Sequence, residues 1–264
     1  MRALLGALVA GVVAAYARRA GALTAGGQWA AFVTGSVVAA AGWSWAALLI
    51  AYFVLSSVLT RAGRERKRAL TESTLPSHHE RNALQVVANG GLFAAIVLLG
   101  ELRGDPALLV AGLGALTAAA ADTWATEVGL LWGGEPRSIL TGRLMPRGVS
   151  GGITLVGVGA SVVAAALFAG VGAALLGERS RDTVVAAVFL AGVAGSVADS
   201  LLGATLQSKR WCDQCRTWTE RRVHTCKYRT QHARGIRWMT NDTVNFLATA
   251  VGALVALASL GSLD

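Results

Sequence analysis

Carboxylates occur inside the most apolar segments of this sequence. Asp122 and Glu127 lie in ADTWATEVG within one hydrophobic run, and Asp199 lies in GSVADSLLGATLQ within another. A carboxylate in hydrocarbon is costly and usually marks a site or pathway, although polar side chains also bridge membrane helices. Carboxylate oxygens are ligands that Mg²⁺ prefers. We therefore predict that these three residues bind Mg²⁺ at a catalytic centre.

The spacing of Asp122 and Glu127 limits how they can share one ion. They are five positions apart, which places their side chains about 140° apart around a regular helix. Both would face one ion only if the helix were irregular at this point. The alternative is that one carboxylate binds the metal while the other orients a basic residue.

Arginine and amide residues suited to phosphate accompany the acids. Arginine offers forked donors to phosphate oxygens, and we predict Arg147 as a catalytic residue. It lies in TGRLMPRGVSGG, a glycine-rich turn before an apolar run, where a helix N-terminus would offer free N–H groups to an anion. The predicted substrate- and nucleotide-binding residues are Arg81, Gln85, Asn89, Thr123, Arg143, Ser150, Ser200, Asn241, Asp242 and Asn245.

Familiar nucleotide-binding and hydrolase signatures do not occur in the sequence. It contains no G-x-x-x-x-G-K-[ST] loop, no kinase catalytic loop and no Ser-His-Asp arrangement. A nucleotide would therefore be bound by an unrelated scaffold. The net charge is +9, but the basic loops carry no nucleic-acid-binding motif. We interpret that charge as a sign of membrane topology and exclude nucleic acid as a partner.

A second constellation contains all three cysteines of the chain. Cys212, Cys215, His224 and Cys226 fall within fifteen residues, and three thiolates with one imidazole suit tetrahedral Zn²⁺. The loop that holds them is predicted to be cytoplasmic, where a disulfide is disfavoured. A structural zinc site is the first interpretation. Reduced structural thiols and redox chemistry are the alternatives.

Membrane helices are the elements that must position these residues. The chain has 264 residues, of which 54% are hydrophobic and 15% are charged, whereas soluble domains carry about 25% charged residues. We predict an all-α polytopic bundle, a single integral membrane domain over residues 1–264. The predicted spans are 4–17, 26–41, 43–60, 82–100, 106–131, 152–176, 183–206 and 242–261. Because the first two are short, the count is seven or eight.

The distribution of basic residues predicts the orientation. If the spans alternate, 20 of the 24 lysines and arginines fall on one side, and basic loops stay cytoplasmic. We therefore predict a bacterial or archaeal cell-membrane protein with its site facing the cytoplasm, including a cytoplasmic loop at 207–241. A faint echo between AADTWAT and VADSLLGAT suggests an internal duplication, for which chance is also an explanation.

Five blocks of the sequence resemble one membrane family. RNALQVVANG, ADTWATEVG, RSILTGRLMPRGVSGGITLVG, GSVADSLLGATLQ and NDTVNF are similar to the conserved blocks of the family catalogued as domain of unknown function 92, which includes the plant phytyl-phosphate kinase. The resemblance implies a relationship to CTP-dependent polyprenol kinases. It therefore implies phosphoryl transfer from a nucleoside triphosphate, CTP, to an isoprenyl monophosphate such as phytyl or geranylgeranyl phosphate.

Two other classes of function fit the same residues. A secondary transporter or lipid-head flippase would use the intramembrane carboxylates as a proton or cation site. A non-catalytic membrane scaffold is the third class. The gathering of the polar residues in the cytoplasmic half of the predicted spans favours the kinase over the transporter.

Overall fold

The computed structural model describes residues 2–75, 80–177 and 181–263, most of them in helices. The helices are α1 (Arg2–Arg19), α2 (Ala25–Ala41), α3 (Trp43–Arg61), α4 (Arg64–Thr71), α5 (Ala83–Val86), α6 (Leu92–Arg103), α7 (Pro106–Trp132), α8 (Leu155–Leu176), α9 (Arg181–Thr205) and α10 (Asn241–Leu263). A π-helix at Val87–Gly91 joins α5 to α6. The strands are β1 (Arg137–Ser138), β2 (Gly152–Ile153), β3 (Lys209–Cys212), β4 (Thr217–Thr219) and β5 (Gln231–Arg234).

The prediction of a polytopic helical membrane protein is confirmed. Among the described residues, six helical segments are long and apolar enough to cross a membrane: Trp43–Arg61, Ala83–Arg103, Pro106–Trp132, Leu155–Leu176, Asp182–Thr205 and Asn241–Gly261. The first two predicted spans also form helices, but α2 has 17 residues and α1 carries arginines at both ends. The predicted count of seven or eight spans is therefore not confirmed.

Capping residues explain where the helices begin. The sixth span was predicted to start at residue 152, but Gly152 and Ile153 pair with β1. The α8 helix starts at Leu155 because the Thr154 side chain accepts a hydrogen bond from the Gly157 N–H. The other predicted spans match helices to within three residues at each end.

The α7 helix is the centre of the bundle. It packs against α3, α6, α8, α9 and α10, and every residue from Val110 to Ala121 is buried. Small residues allow the backbones to approach closely, since a Cβ at Gly114 would lie 2.5 Å from the Gly252 carbonyl oxygen of α10. This close packing brings the C-terminal halves of α7 and α9, which carry Asp122 and Asp199, beside α10.

The predicted fourth span is not a regular α-helix. Asn82 and Gln85 form a capping box that starts α5, and the π-helix follows after one turn. That π-helix packs against α2, α7 and α10. Single π turns inside helices are frequent at functional sites, and this one separates the polar start of the span from its apolar remainder.

The strands lie in the two long connections beside α8 and α9. The strands β1 and β2 pair antiparallel between α7 and α8, and a three-stranded antiparallel sheet with the order β4-β3-β5 lies between α9 and α10. Trp211 and Trp218 pair across β3 and β4, with ring centroids 5.1 Å apart. The 207–241 loop is therefore a small folded unit.

Candidate active site

Two of the predicted carboxylates lie close to each other and to α10. The Asp122 and Asp199 carboxylates interact electrostatically. With its amide oriented by the hydrogen bonds around it, Asn245 donates to Asp199 Oδ2 at 2.8 Å and to the Asn241 carbonyl oxygen at 3.3 Å. Asp122, Asp199 and Asn245 are half-buried. This group, called the acid cluster below, presents oxygen ligands of the kind that Mg²⁺ accepts.

Glu220 extends the acid cluster from the 207–241 loop, and sequence reasoning missed it. Its Oε1 accepts hydrogen bonds from Ser150 Oγ and Gln207 Nε2, each at 2.8 Å, and its carboxylate interacts electrostatically with Asp199. Burial raises the pKa of Glu220, and the two hydrogen bonds and the charge of Lys209 oppose that rise. Since Arg221 and Arg222 follow Glu220 directly in a loop rich in basic residues, it resembled an ordinary solvated acid.

The loop that carries Glu220 is fixed to the segment after α4. The Glu220 N–H donates to the Thr74 carbonyl oxygen at 2.9 Å, and Arg221 Nε donates to the Leu75 carbonyl oxygen at 2.8 Å. Thr74 Oγ1 in turn donates to the Arg147 carbonyl oxygen at 2.7 Å. The connections after α4, α7 and α9 therefore meet beside the acid cluster, and the hydrogen bonds between them hold Glu220 in place.

The other predicted site residues have varied surroundings. Ser150 joins the cluster through Glu220, and its carbonyl oxygen accepts a hydrogen bond from Lys209 Nζ at 2.8 Å. Thr123 Oγ1 instead donates to the Ala119 carbonyl oxygen of its own helix. Among the remaining predicted site residues, Arg147, Ser200 and Asp242 are half-buried, and Arg143 and Asn241 are exposed.

Glu127 is bound by basic and hydroxyl partners from another part of the chain. Its Oε2 lies 2.7 Å from Lys67 Nζ, and its Oε1 accepts a hydrogen bond from Thr60 Oγ1 at 2.7 Å. Lys67 Nζ also donates to the Leu59 carbonyl oxygen at 2.6 Å. Both Glu127 oxygens are thus engaged by α3 and α4, and its role as a metal ligand stays a prediction.

The predicted binding residues Arg81, Gln85 and Asn89 line a cavity of about 220 Å³. The Arg81 guanidinium carbon lies 6.0 Å from the Tyr52 ring centroid and 5.4 Å from that of Phe53, within the range of cation–π attraction. Asn89 Nδ2 donates to the Gln85 carbonyl oxygen at 2.9 Å. These polar side chains therefore stand at one wall of a cavity that is otherwise largely apolar.

The four predicted zinc ligands converge. One ligand atom from each of Cys212, Cys215, His224 and Cys226 lies within 4.8 Å of the others. Cys212 Sγ and Cys226 Sγ are 3.6 Å apart, and His224 Nδ1 lies 3.3 Å from Cys226 Sγ. The hydrogen bond with His224 lowers the pKa of the Cys226 thiol to about 6, which favours the thiolate that binds metal. The arrangement can hold a metal ion, and zinc remains the predicted one.

We expect purified protein to contain about one zinc per chain by elemental analysis. Cys215→Ser should lower both the zinc content and the melting temperature, because a structural zinc contributes to folding. Gln214→Ser changes the exposed neighbour of Cys215 and should leave both unchanged. A wild-type protein that is metal-free yet has the same melting temperature after zinc is added would show that the cluster is a set of structural thiols.

Comparisons with known proteins agree with the membrane architecture. The family model described as "Integral membrane protein DUF92" matches residues 8–253. Protein PGR of Arabidopsis thaliana is 27% identical over 98% of this chain and 96% of its own length. An uncharacterized membrane protein of Methanocaldococcus jannaschii is 28% identical over 82% of this chain and 76% of its own. Protein VTE6, chloroplastic, of A. thaliana is 25% identical over 89% of this chain and 64% of its own length. No solved structure matches the chain.

Proposed function

Because the chain belongs to the DUF92 family of integral membrane proteins, we propose that it is a membrane phosphotransferase. The proposed reaction moves a phosphoryl group from a nucleoside triphosphate, CTP by the family resemblance, to an isoprenyl monophosphate and gives the diphosphate. The observation that carries the proposal is the acid cluster. Asp122, Asp199, Asn245 and Glu220 gather oxygen ligands where three membrane helices meet a folded polar loop.

Magnesium fits the donor set of the acid cluster. Asp122 and Asp199 would hold the ion, with Asn245 orienting Asp199 through its hydrogen bond, and carboxylates plus substrate phosphates are typical Mg²⁺ ligands. The ion would supply positive charge that neutralises the transferred phosphoryl group. Glu220 and the residues hydrogen-bonded to it lie on the polar side of the cluster. The half-buried Arg147 lies on the connection after α7, which is hydrogen-bonded to the segment after α4.

The proposed reaction requires little proton chemistry from the protein. A phosphate monoester is already mostly deprotonated at neutral pH, since its second pKa is about 6. One of its oxygens forms a bond to the γ-phosphorus, while the bond from that phosphorus to the bridging oxygen breaks and the electron pair leaves with the nucleoside diphosphate. Positioning and charge neutralisation by the side chains therefore account for catalysis.

In the proposed orientation the acid cluster lies in the cytoplasmic half of the bundle and faces the cytoplasm. Its polar partners come from the connections after α4, α7 and α9, which hold most of the basic residues. Basic loops remain cytoplasmic in membrane proteins. A nucleotide would reach the cluster from water, while a substrate with an apolar chain would enter sideways from the bilayer.

The experiment that tests this function uses purified protein in sealed vesicles of known orientation. With Mg²⁺, each nucleoside triphosphate and a panel of isoprenyl monophosphates, we expect diphosphate by mass spectrometry, with CTP the preferred donor. Nucleotide added outside should react only with molecules whose 207–241 loop faces outward. If no nucleotide is consumed and the vesicles instead show ion-coupled uptake, the protein is a transporter, which the intramembrane position of Asp122 favours as the second candidate.

A further inference from the structure

An apolar cavity lies between the first three helices and the start of the fourth span. Its walls come from α1, α2, α3, α5 and the π-helix. The far end lies near Trp43 and the α1–α2 crossing, where a Cβ at Gly6 would lie 2.6 Å from Ala39 Cβ. From Trp43 to Phe53 along α3 the cavity is about 15 Å long at the helical rise per residue. That length is about half of the ~30 Å hydrocarbon core of a bilayer.

The opposite end of this cavity is basic. Arg81 lines both the apolar cavity and a small second cavity, where Arg61 and Arg64 also lie. The Arg61 side chain is anchored because its Nη2 donates to the Ala20 carbonyl oxygen at 2.9 Å. The apolar cavity, called the chamber below, therefore has Arg81 at its polar end, and Arg61 and Arg64 line the adjoining cavity. Guanidinium groups match phosphate oxygens well.

We propose, building on the proposed function, that this chamber holds the single isoprenyl chain of the phosphate substrate, with the phosphate at Arg81. A volume of about 220 Å³ is below the ~300–1,000 Å³ of drug-sized sites. It therefore has no room for the two chains of a bulk phospholipid. The chain lies along α3, its end directed toward Trp43 and its charged head toward the polar end.

Two contacts connect the chamber to the helix that carries Asp122. Thr60 lines the basic cavity and donates to Glu127 of α7. The π-helix, whose Asn89 and Gly90 line the apolar cavity, packs against both α7 and α10. The π-helix wall of the chamber therefore adjoins both α7, which carries Asp122, and α10, which carries Asn245, and the proposal has the head of the lipid at this polar wall.

Binding without nucleotide tests the chamber independently of catalysis. We would measure affinities of dimethylallyl, geranyl, farnesyl and geranylgeranyl monophosphates, and of the matching alcohols, for purified protein in nanodiscs by native mass spectrometry. Affinity should rise with chain length and level off when the chain reaches the Trp43 end. The alcohols should bind more weakly, and Arg81→Gln should abolish that difference. Equal affinity for all chain lengths would overturn the proposal.

A variant that fills the chamber is compared with a variant of the same helix that does not. Ala47→Phe places a ring on the α3 wall of the cavity and should weaken geranylgeranyl phosphate binding about tenfold while sparing dimethylallyl phosphate. Val54 of the same helix is 48% exposed and does not line the cavity, so Val54→Phe should bind both like the wild type. Loss of long-chain affinity in both variants alike, or in neither, would contradict the proposal.

A photoreactive group at the end of the isoprenyl chain tests the wild-type protein directly. Crosslinks should fall near Ala39 and Trp43 and disappear when unlabelled geranylgeranyl phosphate is added in excess. Crosslinks confined to the outer face of α1, such as the exposed Val12, would place the chain in bulk lipid and overturn the inference even if diphosphate is formed. If affinity depends on the length of the isoprenyl chain but no nucleotide gives diphosphate, the proposed function alone is disproved.

Discussion

Asp122→Asn and Asp199→Asn should each lose phosphoryl transfer by about 10²-fold or more, because each removes a charged ligand from the proposed metal site. Both variants should express and melt at or above the wild-type temperature. The amide is nearly isosteric with the carboxylate, and the change removes mutual repulsion between the two aspartates. In Asp199→Asn the side-chain oxygen can still accept the Asn245 hydrogen bond. Activity at several Mg²⁺ concentrations and thermal melts would be measured together.

Glu135→Gln is the matched control for these variants, since Glu135 is an exposed acid outside the acid cluster. It should retain wild-type activity and stability. A purely structural role of the aspartates predicts the reverse of the expected pattern, namely a lower melting temperature with the surviving molecules active. Wild-type transfer rates in both Asn variants would end the metal-site proposal, whatever the family resemblance implies.

Lys67→Met should destabilise the protein by about 3–5 kcal/mol, the usual effect of removing one partner from a buried ion pair. The Lys67 and Glu127 side chains are 9% and 17% exposed, so the remaining carboxylate would be poorly solvated. Among the described residues it would keep the Thr60 hydrogen bond alone. The loss should be visible as a lower melting temperature and a lower denaturant midpoint in detergent micelles.

The double variant Lys67→Met/Glu127→Leu distinguishes the effect of the lost ion pair from the effect of lost side-chain packing. Replacing both ends of a buried ion pair with apolar residues is often close to neutral, so the double variant should recover most of the stability that the single variant loses. Arg68→Met, a neighbouring basic residue of α4 that is exposed, should have little effect. If the double variant is as unstable as Lys67→Met alone, the ion pair is not the reason for the loss.

The sequence predicted the parts of the site that are unusual for their surroundings. Asp122 and Asp199 stood out because acids are rare in apolar runs, and the four Cys and His ligands stood out by their spacing. In contrast, Glu220 and Lys67 are ordinary charged residues in charged segments. Their importance comes from partners 13 to 70 positions away in the chain, and a single sequence gives no sign of such pairings.

Local backbone geometry was also beyond the sequence. The predicted span boundaries followed hydropathy and were close, but the hydropathy pattern carried no sign of the π turn or of the three-stranded sheet in the 207–241 loop. That sheet has strands of three or four residues, which are too short for an alternating pattern to be recognised. The roles assigned to the individual site residues, and the single-domain organisation, remain predictions.

The π-helix has a consequence for how this segment is compared with others. Its turn contains one residue more than an α-helical turn, so side chains before and after it are offset by about 100° around the axis. A helical wheel drawn with constant phase from Ala83 to Arg103 would therefore assign Gln85 and the residues of α6 to the wrong relative faces. In an alignment, loss of one valine, alanine or glycine position within VANGG would change that phase while leaving every polar residue of the segment present.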